Sequence, residues 1–141
     1  STLVSCRTYF NRIVLPYNPD TIVFYAGDND IGSGTSADEL LNEFLLFSSE
    51  VAEKIPHTRC FFISIKPSVF RSEYHDIILD FNKKVKNSID HLNQWKYIDL
   101  CTPMLETGYE KFYGEDPLHM NILGYSLLSK LIRDQLDVFI N

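Results

Sequence analysis

Residues 21–30 read TIVFYAGDND, and the class of fold turns on this stretch. From Thr21 to Tyr25 the chain carries no charge and is rich in β-branched and aromatic side chains, and the run ends at Gly27. A run that is apolar throughout, rather than at every second position, predicts a strand covered on both faces. The polar cluster that follows, Asp28-Asn29-Asp30, would then stand at the strand's carboxyl end, where open α/β sheets bind their ligands.

Working outward, the same pattern recurs. RCFFISI (59–65) is a second apolar strand, closed by Lys66-Pro67-Ser68, and YIDL (97–100) is a short third one. Helical periods lie between them. SADELLNEFLLFSSEVAEKI (36–55) opens with Ser36 and Glu39 at capping-box spacing and places Leu40, Leu41, Phe44, Phe47 and Val51 along one face before Pro56. From Ser72 to Gln94, the residues Ile77, Ile78, Phe81, Val85, Ile89 and Leu92 recur every three to four positions. Residues 2–15 give a helix stopped by Pro16 and Pro19, and 121–140 a last helix with Asn121 as its cap. Strands alternating with helices predict an α/β domain with a parallel sheet covered on both sides. Three strands are few for such a sheet, and an opening helix is unusual, so the expectation is of a sheet whose first part lies outside these residues.

The 141 residues suit one domain, 1–141, with 45% hydrophobic and 23% charged residues. The net charge of −6 and the lack of any Lys/Arg run argue against a nucleic-acid partner. No stretch has the length of a membrane span. Cys6, Cys60 and Cys101 are too scattered for a disulfide framework or zinc site and read as buried free thiols. No signal peptide is visible, which places the protein in the cytoplasm if Ser1 lies near the natural start.

Chemistry at the strand ends has two centres. Asn29 offers a neutral amide donor of the kind that stabilises an oxyanion; as a turn residue, Asn29 or Asp30 could equally cap a turn or the next helix. Asp28 and Asp30 could instead hold magnesium, but no phosphate loop accompanies them and no metal is expected. In YGEDPLHMNILGY (113–125), Asp116 precedes His119 by three residues: a carboxylate that fixes an imidazole tautomer and leaves the other nitrogen as general base, or a surface loop leading into a capped helix. His57, His75 and His91 read as solvated. Ser64 and Lys66 share a strand face and could suggest a Ser–Lys pair, although a pocket-lining strand end is simpler; Cys101 is a more distant nucleophile.

Together, Gly27-x-Asn29-Asp30 and Asp116-x-x-His119, with Asn121 and Gly124-Tyr125 behind, resemble the third and fifth conserved blocks of the SGNH (GDSL-type) esterase and acylhydrolase family. The resemblance runs along essentially the whole chain. It implies a flavodoxin-like three-layer α/β/α sandwich with a parallel sheet lacking its first two strands, an ester or acyl-ester substrate and no cofactor. It assigns His119 as base, Asp116 as its orienting partner, Asn29 as oxyanion donor, and Gly27 and Asp30 to the substrate-binding block. The family's nucleophile is the serine of a Gly-Asp-Ser motif, with a further glycine as second oxyanion donor; neither block occurs in these residues. The chain by itself is therefore expected to be inactive or nearly so. The alternatives are a binding or assembly module on the same scaffold, and a phosphoacceptor domain using Asp28, Asp30 and Lys66. Without neighbouring strands the apolar run at 21–25 would be an unguarded edge, which predicts pairing of two copies through Thr21–Tyr25.

Overall fold

The computed structural model describes residues 2–117 and 119–140. Three strands, β1 (Thr21–Phe24), β2 (Arg59–Ile63) and β3 (Trp95–Ile98), form one parallel sheet in the order β1-β2-β3. Val23 pairs with Phe61, and Phe62 with Tyr97. The helices are α1 (Leu3–Tyr9), α2 (Asp28–Gly32), α3 (Ala37–Lys54), α4 (His75–Ile89), α5 (Cys101–Thr107) and α6 (Ile122–Ile140).

The pleat sends alternate side chains to opposite faces. Phe24, Cys60, Phe62 and Trp95 point to one core, which they share with Leu3, Leu40, Phe44, Phe47, Phe81 and Val85 of α1, α3 and α4. Phe61, Ile63 and Ile98 point to the other, with Met104 of α5 and Leu127, Leu128 and Leu131 of α6. This is the sandwich of helices, parallel sheet and helices expected from the alternation of strands and helices. Aromatic rings dominate the first core: Phe44 lies edge-on to Phe62 and to Trp95, with both centroid distances 5.1 Å. Burying one such ring contributes about 2–3 kcal/mol. Among the described residues, no helix is long and apolar enough to cross a membrane.

Ser36 caps α3 as its spacing predicts, accepting from Glu39 N at 3.1 Å. Asn121 caps α6, its Oδ1 accepting from Gly124 N at 3.2 Å. Several boundaries differ from expectation, each for a local reason. Pro16 does not stop the first helix: α1 passes into a π turn (Phe10–Val14) and a 3-10 turn (Leu15–Tyr17), and it ends at Asn18, whose φ of 43° is left-handed. The helix expected over 72–94 begins as a 3-10 turn and closes at Ile89.

β3 starts at Trp95, two residues earlier than the run YIDL suggests, because the buried indole belongs to the sheet. It also ends earlier, because Asp99 turns away to the first turn of the next helix, its Oδ1 accepting from Thr102 N at 2.9 Å. That next helix, α5, falls in a stretch expected to be loop. Seven residues are too few to display a period, and its Pro103 is tolerated in a first turn. Likewise Asp28–Gly32, which the sequence left open between a turn and a helix cap, is a short helix.

All three cysteines carry free thiols, Cys60 and Cys101 buried and Cys6 half-buried.

Candidate active site

Buried polar anchors hold the ends of β2 and β3 at the carboxyl edge, and a tight glycine turn holds the end of β1. At the end of β1, Gly27 adopts φ +117°, a left-handed conformation that side chains disfavour. A Cβ there would also meet Ile65 Cδ1 at 2.9 Å and Leu40 Cδ2 at 3.1 Å. Gly27 therefore turns the strand tightly into α2 and sets Asn29 on that helix's first turn, with its side chain exposed. The helix backbone at this point is held by Ser33, whose hydroxyl donates to Asn29 O at 2.8 Å.

At the end of β2, Asn82 of α4 grips the chain. Its Oδ1 accepts from Ile65 N and its Nδ2 donates to Ile65 O, both at 2.9 Å. Ser64 is fully buried, and its Oγ accepts from the backbone N–H groups of Leu100 and Cys101, both at 2.9 Å. Ser64 thus joins the ends of β2 and β3 and is no nucleophile. Burial pushes the Cys101 thiol up to about 11, helped by the charge of Asp99, so Cys101 stays a neutral thiol near neutrality.

The loop that follows β2 carries two cations that reach back to α2. Lys66 Nζ stands 3.4 Å from Tyr25 Oη and 3.6 Å from the Asp28 carboxylate. Burial pulls the Lys66 ammonium below its usual range, and Asp28, then more weakly Asp116, pull it back. Desolvation of the half-buried Tyr25, and then the charge of Asp28, hold it up as a neutral phenol. Arg71 Nε donates to Asp28 Oδ1 at 2.9 Å, and its Nη2 donates to Asn29 Oδ1 at 3.0 Å. Asp28 is therefore a structural anion between two cations.

Asp30, expected in the substrate-binding block, lies elsewhere. It is buried, and its Oδ2 accepts from Leu3 N at 3.0 Å, so it caps α1 behind the site rather than the helix ahead of it.

Beyond β3, the chain returns to the same edge through α5 and a 3-10 turn at Tyr109–Phe112. Tyr113 pairs with Met120 as an antiparallel bridge, closing a small loop that carries Asp116 and His119. Tyr113 Oη donates to Pro67 O at 2.6 Å, and Phe70 N donates to Pro117 O at 3.1 Å. These two bonds fasten the loop carrying Asp116 and His119 onto the loop carrying Lys66 and Arg71. His75 belongs to the same structure: its ring lies edge-on to Tyr109, with Nε2 3.2 Å from Ser68 O, so it braces this loop where a solvated ring was expected.

Within the small loop, His119 Nδ1 lies 2.6 Å from Asp116 Oδ2, and His119 N donates to Asp116 Oδ1 at 3.2 Å. The pair is exposed, at 70% and 54% for the two side chains, and Nε2 bonds to no described residue. Since the carboxylate can only accept, Nδ1 carries the proton and Nε2 of the neutral ring is left as a base.

The chain thus brings Asp116 and His119 into direct contact. It places Asn29 on the same edge, joined to them through the 64–71 loop. Arg71 and Lys66 join this edge without a motif to mark them. The signal available was a pair of cations on one strand-end loop of an acidic chain.

No family model and no curated protein sequence matches this chain. Solved structures do. A protein described as a GDSL-like lipase from Parabacteroides merdae superposes with a TM-score of 0.76 at 14% identity, over 93% of this chain and 66% of its own. A protein described as an acylhydrolase from Bacteroides fragilis gives 0.82 at 16% identity, over 100% of this chain and 72% of its own. A protein described as a platelet activating factor from Streptococcus pneumonia gives 0.71 at 28% identity, over 83% of this chain and 59% of its own. The chain has the SGNH/GDSL-hydrolase fold, and it spans about two thirds of the length of these structures.

Proposed function

We propose that this chain supplies the base and oxyanion half of an SGNH-type acyl-ester hydrolase. The observation that carries the reading is the 2.6 Å contact of His119 Nδ1 with Asp116, which leaves Nε2 exposed on the edge that also presents Asn29. In this mechanism His119 Nε2 takes the proton of a serine hydroxyl as that hydroxyl attacks an ester carbonyl. Asp116 stabilises the imidazolium, and the Asn29 amide donates to the oxyanion. His119 then returns the proton to the departing alcohol. Gly27 shapes the turn on which Asn29 sits. A small ester is the substrate class.

These residues contain no Gly-Asp-Ser, so the serine must come from outside them. The test is fluorophosphonate labelling of the 141-residue chain followed by mass spectrometry, with p-nitrophenyl acetate as the turnover probe. No serine of this chain should be labelled. With a Gly-Asp-Ser serine present, Asn29→Ala should cut kcat about 10²–10³-fold. Stoichiometric labelling of a serine within these residues would sink the assignment.

A second reading is a non-catalytic binding or assembly module on the same scaffold. It predicts ester binding without turnover even when a Gly-Asp-Ser serine is present.

We also propose that two copies pair through Thr21–Tyr25. Among the described residues β1 pairs only with β2, and Val23 on it is 42% exposed. Beside it lies a cavity of about 360 Å³ lined by apolar groups including Tyr9, Phe10, Val14 and Phe47. An unguarded strand edge next to an apolar groove invites another strand. Sedimentation should show a dimer at micromolar concentration that Val23→Lys shifts to monomer; a wild-type monomer would refute the pairing.

A further inference from the structure

We infer that Arg71 is a positioning residue for the oxyanion donor: its guanidinium fixes the orientation of the Asn29 amide so that Nδ2 faces the reacting carbonyl. This rests on the ester-hydrolase reading above and extends it to a residue outside the conserved blocks.

A side-chain amide on a helix surface can present either end, and only the nitrogen end stabilises an oxyanion. Arg71 decides which. A guanidinium has donors and no acceptor, so the Asn29 atom it touches at 3.0 Å must be the oxygen. Nδ2 then points away from Arg71, and it donates to no described residue. Flipping the amide would set two N–H groups against a cation.

Arg71 can do this because it is itself held. Asp28 Oδ1 accepts from Nε at 2.9 Å, Ser68 Oγ accepts from Arg71 N at 3.1 Å, and the guanidinium carbon lies 4.9 Å from the Phe70 ring centre. Its side chain is 13% exposed. Gly32 provides the space: a Cβ there would collide with Nη1 and the guanidinium carbon. The planar fork matters as well as the charge, since one arm serves Asp28 and another Asn29. An ammonium is a point charge on a different stem and cannot reproduce both.

Two substitutions separate positioning from folding. Arg71→Lys keeps the charge beside Asp28. Gly32→Ala keeps the arginine, suits a helix, and displaces only the flexible end of its side chain. In both, Asp28 retains Lys66 as a partner 3.6 Å away.

The experiment follows the Asn29 side-chain amide and the His119 ring by NMR in ¹⁵N-labelled protein titrated with acetate, a carboxylate that mimics the product. In the wild type, both signals should move with one midpoint. In Arg71→Lys and Gly32→Ala, with backbone spectra still those of the folded protein, the midpoint should rise roughly tenfold, as expected for losing one charge-assisted hydrogen bond. The Asn29 amide should also lose its distinct position before any acetate is added. Equal midpoints in wild type and variants would overturn the role of Arg71 and leave the ester-hydrolase reading standing. If acetate moves neither Asn29 nor His119 in the wild type, the hydrolase reading of the site fails, and the inference about Arg71 fails with it.

Discussion

Asp116→Asn should lower ester turnover about 10⁴-fold in a protein that pairs this chain with a Gly-Asp-Ser serine, with little change in stability. Two of the contacts of the Asp116 carboxylate are to His119: Oδ1 accepts from His119 N at 3.2 Å, and Oδ2 faces His119 Nδ1 at 2.6 Å. Asparagine can keep the first bond through its oxygen. On the imidazole side it then presents an NH₂ donor, which stabilises the tautomer with Nδ1 as acceptor and the proton on Nε2. That ring cannot accept a proton from a serine. The loss is therefore one of tautomer rather than of geometry, and it should appear in kcat far more than in KM. His119→Ala should be at least as damaging, because it removes the base itself. Measuring p-nitrophenyl acetate hydrolysis for both variants checks this. A less than tenfold effect of Asp116→Asn would mean that the pair has no part in proton transfer. Because both side chains are mostly exposed, thermal melting should hardly register either substitution.

Asn82→Leu should destabilise the fold by about 2–6 kcal/mol. Asn82 is 6% exposed and makes both backbone bonds of Ile65, where β2 has left the sheet and no strand remains to pair with. Leucine matches the volume but abandons a buried N–H and a buried C=O, each costing about 1–3 kcal/mol. Urea unfolding would measure the loss, and a change below 0.5 kcal/mol would contradict it. The effect should reach the site too. Ile65 is followed by Lys66, and the same loop carries Arg71 to Asn29 and Phe70 to Pro117. Loosening the anchor should therefore blur the resonances of Asn29 and His119 together, although neither residue touches Asn82.

The periodicities behind most of the fold were legible in the chain. Apolar runs and helical spacing predicted all three strands and the four longer stretches of helix. Each of those elements buries a face large enough to leave a repeat in the sequence. The errors cluster where no repeat can exist. α2 and α5 are too short to show one. The end of β3 was decided by a single carboxylate turning to the first turn of the next helix.

The amino-acid sequence by itself determined the class of fold, the strand ends as the edge where the polar residues gather, and the spacing that lets Asp116 reach His119, since a contact over three residues is local chemistry. Only the tertiary structure decided which polar residues face that edge. Asp28 and Asp30 flank Asn29, yet one is neutralised by Lys66 and Arg71 while the other caps α1. Arg71 meets Asn29 across 42 residues of chain. The direction of a side chain in a short helix, and the cation that orients an amide, depend on partners brought together by packing. No local pattern encodes them.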